Sequence, residues 1–448
     1  MPATPPVSPI ASHQLVVFLL QVGLLLLLAC LLGRLALRLK MPAIVGELCA
    51  GVLAGPSVLT HLAPSVSAWL LPREPTQLHL LDAVGQIGVL LLVGITGIQL
   101  DLGLLRRKAV PAASVGIGGL VVPLGFGIGV GLLLPGSLIP AHAARSTFAM
   151  FVGVAIGVSA IPVIAKTLAD LGLLHRDIGQ LLLCAVAVDD TLGWLLLAIV
   201  SALAAGQVRA ASIGRLIGGL ALVIVVAVIA RPVVRASLRA RARKPGGGPT
   251  IAAVTIMVLL GAAATQALGL EAVFGAFVCG LMINSCGAVD TARLAPLKVT
   301  VLSVLAPLYF ATAGLRMDLT ALARPSVLLA GIVVLAVAVV AKFAGAYAGA
   351  RLGRLNHWQA LALGAGMNAR GVVEIIVAMV GLQLGLLSPA MYTIIVLVAI
   401  STSLMAPPLL RWATSRIGWT TDERLRVDMH ADPHLLVTPV NSSGVAAR

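Results

Sequence analysis

The sequence predicts an all-α polytopic membrane protein of about 13 transmembrane helices, with inverted repeats and two crossed, broken helices. Three observations carry that prediction. Of the 448 residues, 59% are hydrophobic and only 10% are charged, against about 25% charged in a soluble domain. The apolar residues gather into segments close to the ~20 residues that a helix needs to cross a bilayer. Those segments lack the polar alternation of a membrane barrel strand, which leaves helices as the spanning element.

In chain order the segments are roughly 14–37, 42–62, 82–104, 109–133, 146–172, 177–204, 211–234, 249–269, 271–286, 295–315, 325–350, 357–385 and 389–412. They define one membrane domain, 1–412, and a short polar cytoplasmic tail, 413–448, too short for a nucleotide-binding regulatory domain. The stretch RARARKPGGG at 239–248 reads as a basic, flexible linker between two halves.

The net charge of +15 invites a nucleic-acid reading, which its distribution rejects. Thirteen spans sort the loops into two sets. One holds Arg34, Arg38, Lys40, Arg106, Arg107, Lys108, Arg176, the basic run 231–244, Arg293, Lys298, Arg351, Arg354 and five arginines after Leu410. The other holds Arg73, Arg145, Arg209, Arg215, Arg316 and Arg324. By the positive-inside rule the protein is a multi-pass protein of the cell membrane, with its N-terminus outside and its C-terminus cytoplasmic. The basic excess meets anionic lipid rather than nucleic acid. The five cysteines are scattered without metal-ligand spacing and the eight histidines form no cluster, so no cofactor is expected.

A weak internal repeat pairs the LGLL of Leu168-ADLGLL with that of Gly381-LQLGLL, 213 residues on. The two copies end the fifth and twelfth spans, which run in opposite directions, as inverted repeats in secondary transporters do. Both spans look broken at the middle. The fifth carries Gly153, Gly157, Ser159 and Pro162, and the twelfth carries Gly364, Gly366, Asn368 and Gly371. Unwound backbone survives at membrane depth only where it lines protein or a wet cavity.

The chemistry centres on Asp189 and Asp190, adjacent in a stretch with no other charge from Gly179 to Ala205. A carboxylate at the bilayer centre costs roughly 2.5–3.5 kcal/mol on insertion scales, so the pair requires protons, a cation or a positive partner. Neighbours on a helix point about 100° apart. One carboxylate therefore faces the crossing of the broken helices and the other a neighbouring helix. Like charges this close resist ionising together, which lets one hold a proton near neutral pH, as exchange of H⁺ for a cation requires. Thr191 adds a hydroxyl ligand. Lys342, roughly 12 Å inside its span by helical rise, is the natural partner of the pair. Arg370 and Glu374, one turn apart after the second break, read as a mutual salt bridge or as groups neutralising exposed helix ends. Lys166 is expected to snorkel. Glu47 is structural or gating, and Gly46, Gly51 and Gly55 beside it suit close helix packing.

The segments MPAIVGELCAGVLAGPSVL, VGQIGVLLLVGITGIQLDL, AVAVDDTLGW, LYFATAGLRMDL and AKFAGAYAGARLG together resemble the monovalent cation:proton antiporter-2 family. The likeness runs from about residue 15 to 412, and GMNARGVVEIIVA resembles the plant cation/proton exchanger branch more than the typical bacterial one. It departs at Gln99, where many relatives carry Glu. The resemblance implies a sodium/proton antiporter-like fold. A core of helices in about 109–204 and 325–412 moves like an elevator against dimerisation helices in about 14–104 and 249–315, with 211–234 as a linker helix. It further implies a homodimer that is no enzyme and exchanges Na⁺ or K⁺ for H⁺, electrogenically in the two-Asp type. Asp190 resembles the residue that binds the metal cation; Asp189, which also contributes to that site, resembles the partner of Lys342. Ser159, Thr191, Asn368, Arg370 and Glu374 are the expected supporting residues.

Two other classes compete. An intramembrane aspartyl protease needs its carboxylates on separate helices and a GxGD motif, both absent here. The other is a K⁺ efflux channel-like protein or a Na⁺-coupled organic solute carrier on the same fold; the carrier would not need Asp189, Asp190 and Lys342 together.

Overall fold

The computed structural model describes residues 11–39, 41–70, 75–99, 109–159, 161–173, 176–205, 210–242, 247–287, 291–418 and 423. The regular secondary structure among the described residues is all helical, with no strand. The helices are α1 (Ser12–Arg38), α2 (Ala43–Ala54), α3 (Leu59–Leu62), α4 (Pro64–Leu70), α5 (Pro75–Gln99), α6 (Ala109–Leu133), α7 (Arg145–Gly157), α8 (Ile161–Asp170) and α9 (Asp177–Ala205). They continue as α10 (Ala210–Ala242), α11 (Gly248–Ala267), α12 (Ala272–Ser285), α13 (Ala295–Thr300), α14 (Ala306–Leu315), α15 (Pro325–Leu352), α16 (His357–Met367), α17 (Val372–Gln383) and α18 (Pro389–Thr414).

Every one of the thirteen apolar segments is occupied by a helix or a helix pair. Length alone gives a smaller count. Ten helices among the described residues are long and apolar enough to cross a membrane, or eleven if the bent pair α16–α17 is one span. The segments at 146–172 and 271–286 fall short because the first divides into α7 and α8 and the second yields only the 14 residues of α12.

Two expectations shift. Residues 239–242 belong to α10 rather than to a linker, because Arg and Ala are strong helix formers that extend the apolar segment into its basic flank. The polar tail is tethered where it begins. Arg176 Nη2 donates to the carbonyls of Ile417 and Gly418 at 2.9 and 2.8 Å, and Glu423 Oε1 accepts from the Asp177 amide at 2.7 Å. Residues 419–422 and 424–448, the side chain of Lys166 and the residues 100–108 lie outside the described residues.

Small residues let the backbones approach. A Cβ on Gly46 would lie 2.1 Å from the Leu32 carbonyl of α1, and one on Gly51 1.8 Å from the Ala311 carbonyl of α14. Helix α15 meets α6 in the same way, at Gly345 against Gly118 and Gly349 against Ser114. Helix α6 also packs on α7 and α9, α15 on α16, and α18 on both α16 and α17. A second set joins α1, α2, α5, α11, α12 and α14.

The LGLL copies adopt one local structure. Gly172 and Gly385 have φ of +65° and +67°, the left-handed conformation in which glycine ends helices. Each is followed by the same six-residue closure, Leu173 to Leu168 at 2.8 Å and Leu386 to Gly381 at 2.9 Å.

Candidate functional site

Both middle breaks are present. Helix α7 ends at Gly157, and Val158 turns extended before α8 begins at Ile161. Helix α16 ends at Met367, and the chain passes through Gly371, at φ 151° and ψ −106°, before α17. The Ser159 hydroxyl joins the breaks by donating to the Met367 carbonyl at 2.9 Å.

Asp189 is fully engaged. Lys342 Nζ donates to its Oδ1 and Oδ2 at 3.0 and 2.9 Å, and the Ser159 amide donates to Oδ2 at 2.8 Å. The same ammonium donates to the Gly157 carbonyl, an acceptor exposed by the end of α7. Lys342 is fully buried and does not snorkel. One lysine from α15 therefore ties α9 to the unwound end of α7.

Asp190 is the opposite case. It is wholly buried, and neither carboxylate oxygen has a hydrogen-bond partner. One turn on, the buried indole Nε1–H of Trp194 is directed to the Asp190 carboxylate without reaching hydrogen-bond geometry. Adjacent residues diverge because of the helical turn: Asp189 meets the lysine while Asp190 is left uncompensated. Such a group at zero exposure requires a proton or a cation.

The supporting residues divide. Ser159 contacts Asp189 directly. Thr191 donates to Ala187, one turn back on its own helix, at 2.7 Å, which leaves only lone pairs for a ligand. Asn368 Nδ2 donates to Gly364 at 3.0 Å while its buried Oδ1 has no partner. Neither Thr191 nor Asn368 is hydrogen-bonded to the aspartates. Arg370 Nη1 lies 3.3 Å from Glu374 Oε1, both side chains fully buried. Its Nη2 donates to Ala338, one turn before Lys342, at 2.7 Å. Arg370 Nε and Glu374 Oε2 are buried without partners.

Sequence reasoning missed the part played by Ser403, whose hydroxyl donates to the Arg370 carbonyl. Its signal was the repeat. Gly157 and Arg370 are 213 residues apart, and so are Asp190 and Ser403. Lys342 satisfies a carbonyl at the first break, and Ser403 satisfies the matching carbonyl at the second. Trp194 had only its spacing from Asp190 to mark it.

Comparison with known proteins identifies the chain's relatives. The family model described as "Sodium/hydrogen exchanger, transmembrane" matches residues 23–415. The chain is 31% identical to "Cation/H(+) antiporter 17" of Arabidopsis thaliana over 89% of its own length and 48% of the plant protein. It thus spans about half the length of that relative. It is also 31% identical to "Na(+)/H(+) antiporter NhaS4" of Synechocystis sp., over 89% of this chain and 97% of the cyanobacterial one. In fold it is similar to the sodium proton antiporter MjNhaP1 from Methanocaldococcus jannaschii at pH 8, with a TM-score of 0.66 at 17% identity, covering 90% of this chain and 99% of the other. With its helices, its two breaks and this match over most of its length, the chain belongs to the transmembrane sodium/hydrogen exchanger family, whose members are multi-span integral membrane proteins.

Proposed function

We propose that the protein is a secondary active antiporter that exchanges a monovalent cation, Na⁺ or K⁺, for H⁺ across the cell membrane. The observation that carries this reading is Asp190: two buried, unpartnered carboxylate oxygens beside the junction of two broken helices. A proton and a cation can each neutralise that group, and they compete for it. Exchange follows when the site faces each side in turn. Asp189 and Lys342 form the second half of the site, since the lysine's proton can leave when a cation bridges the two aspartates. The names of the relatives support the same exchange.

In this reading, helices within 109–204 and 325–412 carry the site as an elevator. Helices within 14–104 and 249–315 stand still as the dimerisation scaffold of a homodimer, and the N-terminus lies outside the cell. The test is dye-reported H⁺ flux in proteoliposomes pulsed with Na⁺, K⁺ and Li⁺. Cation-evoked H⁺ movement is expected for Na⁺ or K⁺, and an absence of coupled H⁺ movement with every cation overturns the reading.

A further inference from the structure

Towards its end, helix α18 leaves one stripe uncovered. Leu404, Pro408, Arg411, Trp412 and Ser415 are all exposed, and their spacing puts them on one face of the helix. All five line a cavity of about 440 Å³ that Pro42, the residue before α2, also bounds. The stripe is graded. Leu404, Pro407 and Pro408 form an apolar wall, and Arg411 is the only charged lining residue among those described. Arg411 enters no ion pair among the described residues. The Ser415 hydroxyl spends its hydrogen on the Trp412 carbonyl at 2.8 Å. The charge offered in this cavity is therefore one unpaired guanidinium, which suits an anion. Aromatic rings mark the depth. Trp412 meets Trp358 of α16 with ring centroids 5.9 Å apart, and the Arg416 guanidinium lies 5.1 Å over the Trp358 ring. Tryptophans sit at headgroup level in membrane proteins. Leu404, eight residues before Trp412, is about 12 Å deeper by helical rise.

We propose that this cavity binds one anionic phospholipid of the leaflet on the basic-loop face. Its phosphate lies against Arg411, and an acyl chain follows Leu404, Pro407 and Pro408 toward the membrane centre. A guanidinium holds a phosphate by two parallel hydrogen bonds, and the apolar wall below it is what a free anion would leave empty. The consequence for transport rests on the antiporter reading. In that reading α18 travels with the carried helices, while Pro42 and α2 stand still. The cavity is then a seam between the two parts, and its width changes as one moves past the other. A lipid seated there favours whichever arrangement fits it, by its difference in affinity for the two.

Native mass spectrometry of the purified protein, titrated with phosphatidylglycerol or phosphatidylcholine, reads the site without transport. The first phosphatidylglycerol should bind more tightly than phosphatidylcholine. Arg411→Gln should weaken it roughly fivefold, the weight of one arginine beside an anionic surface. Leu404→Trp, which fills the apolar wall and changes no charge, should weaken it as well. Both positions are exposed, so neither change threatens the fold. Arg239→Gln, in the basic last turn of α10, should leave the first binding step within twofold. Millimolar inorganic phosphate should not displace the lipid. Equal binding of the two lipids, unchanged binding in Arg411→Gln, or displacement by phosphate overturns the site, the last in favour of a soluble anion. In proteoliposomes, exchanging phosphatidylcholine for phosphatidylglycerol should change wild-type cation-evoked H⁺ flux at least twofold and leave Arg411→Gln unmoved. Flux indifferent to the lipid, with binding at Arg411 intact, overturns the role of the seam. An absence of flux in every lipid sinks the antiporter reading and leaves the binding result to judge the site.

Discussion

Lys342 and Asp189 form a fully buried two-oxygen ion pair, with Nζ 3.0 and 2.9 Å from the two carboxylate oxygens. Removing one partner of a buried pair leaves an uncompensated charge and typically costs about 3–5 kcal/mol. Lys342→Gln should therefore lower the thermal stability of the purified protein markedly. The double variant Asp189→Asn/Lys342→Gln, which removes both charges, should recover most of that loss. Thermal unfolding followed by size-exclusion chromatography measures both. A double variant as unstable as Lys342→Gln would show that the pair is not the strut joining α9 to the end of α7.

Asp190 supports a different expectation, because it has no partner to lose. Asp190→Asn keeps the side-chain shape but removes the capacity to hold a proton or balance a cation. Cation-driven H⁺ flux in proteoliposomes should fall to background while the thermal unfolding midpoint is kept or raised, since a buried unpaired carboxylate is itself unfavourable. Flux at the wild-type level would remove Asp190 from the site.

Gly371 tests the second break. Its φ of 151° is rarely adopted by residues with a side chain, and a Cβ there would lie 2.8 Å from Val163 Cγ2 of α8. Backbone strain of this kind costs about 1–3 kcal/mol, so Gly371→Ala should lower both stability and transport. Gly125→Ala, at a position with nothing within 4 Å, is the matched control. It should be neutral or slightly stabilising, as alanine is the better helix former by about 0.8–1.0 kcal/mol. Equal effects of the two substitutions would deny the break its special geometry.

How far the sequence revealed this site depends on the range of each interaction. Helix positions followed from hydropathy, a local property: the 109–133 segment is α6 to the residue. The breaks were legible from Gly, Pro and Asn clusters, because backbone preferences are also local. The LGLL repeat was slight in letters, yet it fixes matched left-handed glycines at 172 and 385. Its weight came from conformation rather than composition. The individual hydrogen bonds were not legible. Nothing in the order of residues says that the Ser159 hydroxyl reaches Met367, or that Arg370 reaches Ala338 rather than Glu374 alone. Those contacts arise from how α7, α15 and α16 cross, which only the packed structure supplies. Thr191 illustrates the limit: its place beside the aspartates suggested a ligand, but its hydroxyl hydrogen is taken up by Ala187 on its own helix.

The final prediction concerns charge movement, and it follows from counting charges at the site. Arg370 and Glu374 form an ion pair, which the count treats as neutral throughout. With a proton on Asp190 and Lys342 charged against Asp189, the arrangement of the ion pair seen here, the rest of the site is also neutral. If a cation instead bridges both aspartates and Lys342 gives up its proton, the site carries one net negative charge. Two protons then move one way for each cation moved the other way, and one positive charge crosses per cycle. A potential of 100 mV acts on that charge with about 2.3 kcal/mol, equivalent to a roughly fiftyfold shift in the cation gradient at balance. Imposing a potassium–valinomycin potential should thus accelerate or oppose wild-type exchange according to its sign. Lys342→Gln, stabilised if necessary by added lipid, lacks the second proton carrier and should exchange one proton per cation with no response to potential. Wild-type exchange that ignores the potential would refute the two-proton cycle. Asp190 would then be the sole carrier, and Lys342 a strut whose proton never leaves.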